Sequence, residues 1–234
     1  MLAGVRAVVQ PLYTAYCLAV FIVLGMTVLV VNLFVPSLRR RRSVAGLFSR
    51  IFLHAAGIPF AVDGLDRLPQ VPCVVVANHA SYIDGLVAAA ALPPDFAFVI
   101  KKEMVRVPLA GLLLRRLGSQ FVERFDRHKG GVDARRVLKL AATGQSLVFF
   151  PEGTFNEIRQ VGKFHGGAFT AAARSDMPVV TMAIHGTRAV LPPEGFAVHR
   201  LPIRVEILDV LSASDARQHS RELIAQAIGE PLAP

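Results

Sequence analysis

His79 and Asp84 stand five residues apart in the stretch Val74-Val75-Val76-Ala77-Asn78-His79-Ala80-Ser81-Tyr82-Ile83-Asp84-Gly85. A neutral imidazole held by a carboxylate through one nitrogen is a general base with its tautomer fixed. On one straight helix the two side chains would point about 140° apart and could not meet. The chain around them offers another geometry. Val74 to Ala77 is an apolar run without alternation, the pattern of a short buried strand. Ser81 and Asp84 are helix-starting residues ahead of Leu86-Val87-Ala88-Ala89-Ala90. His79 then falls on the loop at the strand's carboxyl end and Asp84 in the first turn of the next helix, where the chain can fold back and join them. The open carboxyl ends of parallel strands are also where α/β folds bind ligands. The bland alternative is that His79 hydrogen-bonds a strand end while Asp84 caps a helix.

The elements that must hold this pair follow from periodicity and punctuation. Strands are expected at Pro59–Asp63, Pro72–Ala77, Phe96–Lys101, Ser119–Val122, Ser146–Phe150, Pro178–Ile184 and Ile203–Leu208. Helices are expected at Ser43–Gly57, Asp84–Leu92, Pro108–Leu117, Lys129–Ala142, Gly167–Arg174 and Asp215–Ile228. Pro192 to Leu201 reads as an irregular loop. Strands alternating with helices point to the α/β class, with a mixed, largely parallel sheet flanked by helices. An N-terminal membrane-anchoring helical segment precedes it.

That segment is chargeless from Ala7 to Leu38, and Tyr16 to Pro36 is almost wholly apolar. About 20 helical residues span a hydrocarbon core of roughly 30 Å. A secretory signal has a shorter apolar core, about 7–15 residues, and ends at small residues. Here the run ends in Arg39-Arg40-Arg41-Arg42, a stop-transfer flank that stays cytoplasmic under the positive-inside rule. The expected organisation is an anchor over residues 1–42, with one transmembrane helix over about 16–36, and a catalytic domain over 43–234 on the cytosolic face of a bacterial inner membrane. Asn32 and Pro11 leave room for two shorter helices dipping into one leaflet.

Composition agrees with a membrane surface. Of 234 residues 53% are hydrophobic, mean hydropathy is +0.48, and the net charge is +9 with a pI near 10.4. Basic and apolar together suit an anionic bilayer. The absence of Trp and of basic–aromatic interleaving argues against nucleic acid as partner. Cys17 and Cys73 have no neighbour at metal-ligand spacing, so neither a metal site nor a disulfide framework is expected.

Four stretches in order carry a family resemblance: Asn78-His79-(four residues)-Asp84, Gly118-Ser119-Gln120-Phe121-Val122-Glu123-Arg124, Phe150-Pro151-Glu152-Gly153-Thr154, and Met177-Pro178-Val179-Val180-Thr181-Met182-Ala183-Ile184. Together they resemble the glycerolipid acyltransferases, the family of 1-acyl-glycerol-3-phosphate acyltransferase, from about Arg50 to about Val210. The resemblance implies transfer of a fatty acyl group from an acyl thioester, acyl-CoA or acyl-ACP as co-substrate, to the free hydroxyl of a lysophospholipid. No other cofactor is implied. It would make His79 the base for that hydroxyl and Asp84 its orienting partner. Arg124 would contact the acceptor phosphate, with Phe121 in the same block. Glu152, Gly153 and Thr154 would form a ligand-binding turn, Glu152 either holding the loop or binding acceptor hydroxyls. Lys102 would be a further phosphate contact, or else a solvated lysine at a strand end. No Gly-x-Ser-x-Gly elbow is present, so direct attack is expected rather than a serine acyl-enzyme. The sequence departs from the family where Phe155 replaces a common arginine after the threonine. That departure opens a second reading, another lyso-lipid acceptor such as a lyso-ornithine lipid. A non-catalytic lipid-binding protein is the third.

Overall fold

The computed structural model describes residues 2–123, 127–155 and 158–233. Seven strands form one sheet: β1 Phe60–Asp63, β2 Val74–Ala77, β3 Phe96–Lys101, β4 Gln120–Val122, β5 Ser146–Phe149, β6 Val179–His185 and β7 Ile203–Leu211. The helices are α1 Leu2–Phe34, α2 Leu38–Ala55, α3 Asp84–Ala91, α4 Ala110–Arg116, α5 Arg127–Ala142, α6 Gly167–Arg174, the short α7 Thr187–Val190, and α8 Ala216–Ile228. The strand order is β1-β7-β6-β2-β5-β3-β4. Every pairing is parallel except β6 with β7, which is antiparallel. The mixed, largely parallel sheet expected from the sequence is the one observed.

β2 is buried at all four positions, because it lies mid-sheet with helices on both faces. One face carries Val75, Ala77, Val148 and Met182 against Phe52, Leu53, Val87 and Ala88. The other carries Val74, Val76, Leu147 and Val179 against Val137, Ala141, Ala168, Ala172 and Ile224. The alternation of Val74 and Val76 with Val75 and Ala77 is the period of two of a strand, and both sets of neighbours are apolar. That leaves the polar sequel, Asn78-His79, to emerge where the strand ends.

α1 and α2 depart from the expected anchor-then-domain layout. α1 begins fourteen residues before the expected span and runs through Pro11. The arginine block that follows the apolar run lies in the first turn of α2. Helix α1 is about 50 Å long at 1.5 Å per residue. It is tied to the rest of the chain at both ends. Near its start Gln10 donates to the Val198 carbonyl at 2.7 Å, Thr14 Oγ1 accepts from Val198 N–H at 3.2 Å, and Tyr13 donates to the Ala56 carbonyl at 2.7 Å. Near its finish Arg116 of α4 donates to the Asn32 carbonyl at 2.8 Å and the Leu33 carbonyl at 2.7 Å. Because β7 runs against β6, Arg204 lies beside His185 at the carboxyl end of β6. The start of α1 is therefore at the edge of the sheet that carries His79, and its finish is at the opposite edge. By length and composition Val9–Phe34 suffices to cross a membrane.

Candidate active site

Asn78 fixes the end of β2. Its side-chain Nδ2 donates to the Ile184 carbonyl at 2.9 Å, and its Oδ1 accepts from Ile184 N–H at 2.8 Å. A side chain thus supplies one more rung to the β2–β6 ladder and holds the backbone while the chain turns. His79 leaves that turn with its Nδ1 2.8 Å from Asp84 Oδ2. The same oxygen accepts from Ala80 N–H at 2.6 Å and Ser81 N–H at 2.8 Å. Asp84 is fully buried, and its Oδ1 has no hydrogen-bond partner. With two backbone N–H groups already donating to it, Oδ2 faces the ring as an acceptor. Nδ1 then carries the imidazole proton and Nε2 presents its lone pair, an assignment that rests on the hydrogen-bond pattern.

The Asp84 carboxylate therefore both closes the turn and orients the ring. Ser81, expected as a helix-starting residue, instead ties the turn outward, its hydroxyl donating to the Leu191 carbonyl at 2.8 Å. The helix begins after Ile83, with no side-chain cap.

The β5 loop supplies the second half of the site. Glu152 Oε1 accepts the backbone N–H of His79 at 2.7 Å, and Oε2 accepts the N–H of Gly162 at 2.7 Å. Glu152 thus holds the loops together, the first of the two roles expected for it. Burial pushes its carboxyl up from the ordinary value, and the two N–H donors oppose that shift. Gly153 sits at φ +81°, a left-handed turn open to glycine at little cost, and its N–H is taken by the Phe150 carbonyl at 3.0 Å. That N–H is committed to the turn, not to a ligand. The Thr154 hydroxyl is exposed and donates to the Phe155 carbonyl at 3.4 Å.

Aromatic rings enclose the imidazole. Phe150 stacks on it at 4.7 Å between centroids and 29° between planes. Phe155 meets it edge-on at 4.7 Å, and Tyr82 meets Phe155 at 4.7 Å. The His79 side chain remains 22% exposed, so Nε2 reaches an open face between apolar walls. Sequence reasoning marked Phe155 only as a missing arginine. Its contact with His79 had one legible signal, an aromatic residue on the loop after the strand that neighbours β2.

Other expected site residues lie further off. Lys102 follows β3, two strands from β2, roughly 10 Å away at 4.8 Å per strand. Its ammonium is 3.2 Å from Asp133, which is 3% exposed and also accepts Glu123 N–H at 3.1 Å. Phe121 lies within β4, paired with Ile100, a strand further out. Arg124 falls outside the described residues. Among the described residues no group of three or more His, Cys, Asp or Glu side chains could hold a metal ion.

The general model of the acyltransferase family matches residues 59–185, more than half the chain, and this match includes both halves of the site. The chain belongs to the acyltransferase family. Among relatives of this chain is the chloroplastic 1-acyl-sn-glycerol-3-phosphate acyltransferase of Brassica napus, 31% identical over 69% of this chain and 48% of its own length. Another is the lyso-ornithine lipid O-acyltransferase of Pseudomonas aeruginosa, 32% identical over 58% of this chain and 52% of its own. The chain spans about half the length of these curated relatives. In fold the chain is similar to the 1-acyl-sn-glycerophosphate acyltransferase PlsC of Thermotoga maritima, with a TM-score of 0.77, 20% identity, and coverage of 97% of this chain and 96% of that one.

Proposed function

We propose that this acyltransferase moves a fatty acyl group from an acyl thioester to the free hydroxyl of a lyso-lipid at a membrane surface. The observation that supports it is the His79–Asp84 pair, 2.8 Å apart at the carboxyl end of β2, with Nε2 left open. The acceptor hydroxyl hydrogen-bonds to Nε2. As its oxygen attacks the thioester carbonyl its proton passes to Nε2, and Asp84 stabilises the imidazolium. The tetrahedral adduct collapses with loss of the thiolate, which takes up the proton. Thiols leave readily, so no strong acid is required. The donor is acyl-CoA or acyl-ACP, both anionic and suited to a chain of net charge +9.

Lysophosphatidate, giving phosphatidate, is the first acceptor in this reading, in line with the Brassica napus relative. The test measures thiol release from palmitoyl-CoA with lysophosphatidate in mixed micelles, and thin-layer chromatography of the lipid product. Acceptor-dependent release with phosphatidate formed supports the reading; release with water as the only acceptor overturns it. Phe155 favours a second acceptor class, a lyso-lipid whose headgroup carries no phosphate beside the hydroxyl, as in a lyso-ornithine lipid. An aromatic ring 4.7 Å from the imidazole offers no hydrogen bond to phosphate. Phe155→Arg is expected to raise kcat/KM for lysophosphatidate about 10–100-fold relative to a zwitterionic lyso-lipid, the worth of one charge-assisted bond. An unchanged ratio would place position 155 outside the acceptor site.

Membrane attachment runs through α1. Leu12, Leu18, Phe21, Val23 and Val30 are exposed along it. Gln10 and Asn32, both tied to the domain, are about 33 Å apart along the helix. A helix gripped over that length by one domain fits insertion along one leaflet better than a perpendicular span. Cysteines placed along residues 12–30 report this. Labelling from the cytoplasmic side alone by a membrane-impermeant maleimide agrees with one leaflet, and labelling of residues near 12 from the far side restores a full span.

A further inference from the structure

The four consecutive arginines at the start of α2 have different surroundings. Arg39 pairs with Asp95 at 2.8 Å. Arg41 donates to the Val35 carbonyl at 2.6 Å and the Arg116 carbonyl at 3.4 Å. Arg42 donates to the Leu117 carbonyl at 3.0 Å and to Gln145 Oε1 at 3.3 Å. These three fasten the helix bend to the domain. The guanidinium of Arg40 makes no ion pair or hydrogen bond among the described residues.

Arg40 instead borders an open cleft of about 580 Å³ in the bend between α1 and α2. The rest of its lining is almost wholly apolar: Val31, Phe34, Val35, Pro36 and Val44, with Ser43 beside them. Ser43 is not a donor to spare, since its hydroxyl already donates to the Arg39 carbonyl at 3.1 Å. Phe34 is 82% exposed, the most open large apolar side chain of α1 among those described. The volume falls within the range of small-molecule sites, about 300–1,000 Å³. An apolar floor with one unpaired cation at its rim fits an amphiphile with an anionic head. Arg40 also stands in the first turn of α2, where the positive end of the helix dipole acts in the same direction. A guanidinium can meet a phosphate with two parallel N–H bonds.

We infer that this cleft binds one anionic phospholipid of the bilayer, an acyl chain lying along Val31, Phe34 and Val44 and the phosphodiester on Arg40. The site is at the end of α1 away from His79, so its occupant is not the acyl acceptor. It rests on α1 contacting lipid and not on the acyl-transfer reading.

The test places the full chain in nanodiscs of phosphatidylcholine containing one-tenth phosphatidylglycerol with a diazirine in its acyl chain. After irradiation, the labelled peptides are mapped by mass spectrometry. Wild type is expected to carry label concentrated on residues 31–44. Arg40→Gln is expected to lower that label at least threefold, and Val44→Trp, which fills the cleft, to lower it likewise. Arg39→Gln removes the same charge from the same turn and is expected to leave the label unchanged. Excess glycerol 3-phosphate, which has the head without the chain, is expected not to compete. Equal losses with Arg39→Gln and Arg40→Gln would reduce the effect to bulk charge and overturn the site. So would label spread evenly along α1, or cross-links at the cleft to a second copy of the chain in place of lipid. Nanodisc retention and unchanged melting of each variant show that the comparison is between folded proteins. A labelled cleft in a chain without acyl-transfer activity would leave this inference standing while the catalytic reading fell.

Discussion

His79→Ala is expected to lower kcat for thioester-to-lyso-lipid transfer by about 10²–10⁴-fold, the usual worth of a positioned general base. KM for the donor should change little, because in the proposed mechanism the ring meets the acceptor hydroxyl and not the carrier. Asp84→Asn should come close to the same loss. Asp84 Oδ2 receives the imidazole and two backbone N–H groups, so an amide there disturbs both the tautomer and the turn. Two residues acting as one unit are non-additive. The double variant is therefore expected to be no slower than His79→Ala by more than about threefold. Stopped-time assays of thiol release on all three proteins measure this. Losses that multiply would mean the two side chains act separately. An active His79→Ala protein would remove the base altogether.

The second large effect belongs to Glu152. Both its oxygens accept backbone N–H groups, His79 on one side and Gly162 on the other. Glu152→Gln puts an N–H₂ against one of those donors. Losing one charge-assisted hydrogen bond costs about 1.5–3 kcal/mol of stability. A small displacement of the His79 backbone carries into the ring, and misplacements near 1 Å cost about 10²-fold in rate. The expected result is a kcat about 10²-fold lower with an acceptor KM within a factor of about three. A raised KM with kcat intact would mean that Glu152 touches the acceptor instead. A thermal melt read beside the kinetics separates loss of fold from loss of position.

These two predictions also mark what could be read from residues alone. The strand of Val74 to Ala77 and the loop after it were legible, because an uninterrupted apolar run followed by Asn-His has few other solutions in an α/β chain. The meeting of His79 with Asp84 followed from that placement. The link from Glu152 to the His79 N–H was not legible. It joins residues 73 positions apart through a backbone atom, which leaves no trace in side-chain pattern. The same holds for Phe155, whose neighbour His79 is set by the adjacency of β2 and β5. A second role of the arginine block was hidden for a different reason. Charge after an apolar run signals a membrane flank, and nothing in composition tells that Arg41 and Arg42 bond carbonyls of the domain. The antiparallel direction of β7 likewise depends on the loop before it, not on the strand's own alternation.

The grip on α1 at both ends bears on how this chain can be cut. Its Cys17 is 1% exposed and shares a core with Phe52, Leu53 and Ala56, so removing the first helix strips the cover from side chains of the second. It would also leave the Arg116 guanidinium without its acceptors at the far edge. A chain begun at Ser43 would therefore be expected to aggregate rather than to yield a detached soluble catalyst. The apolar helix is a wall of the building, whatever else it meets.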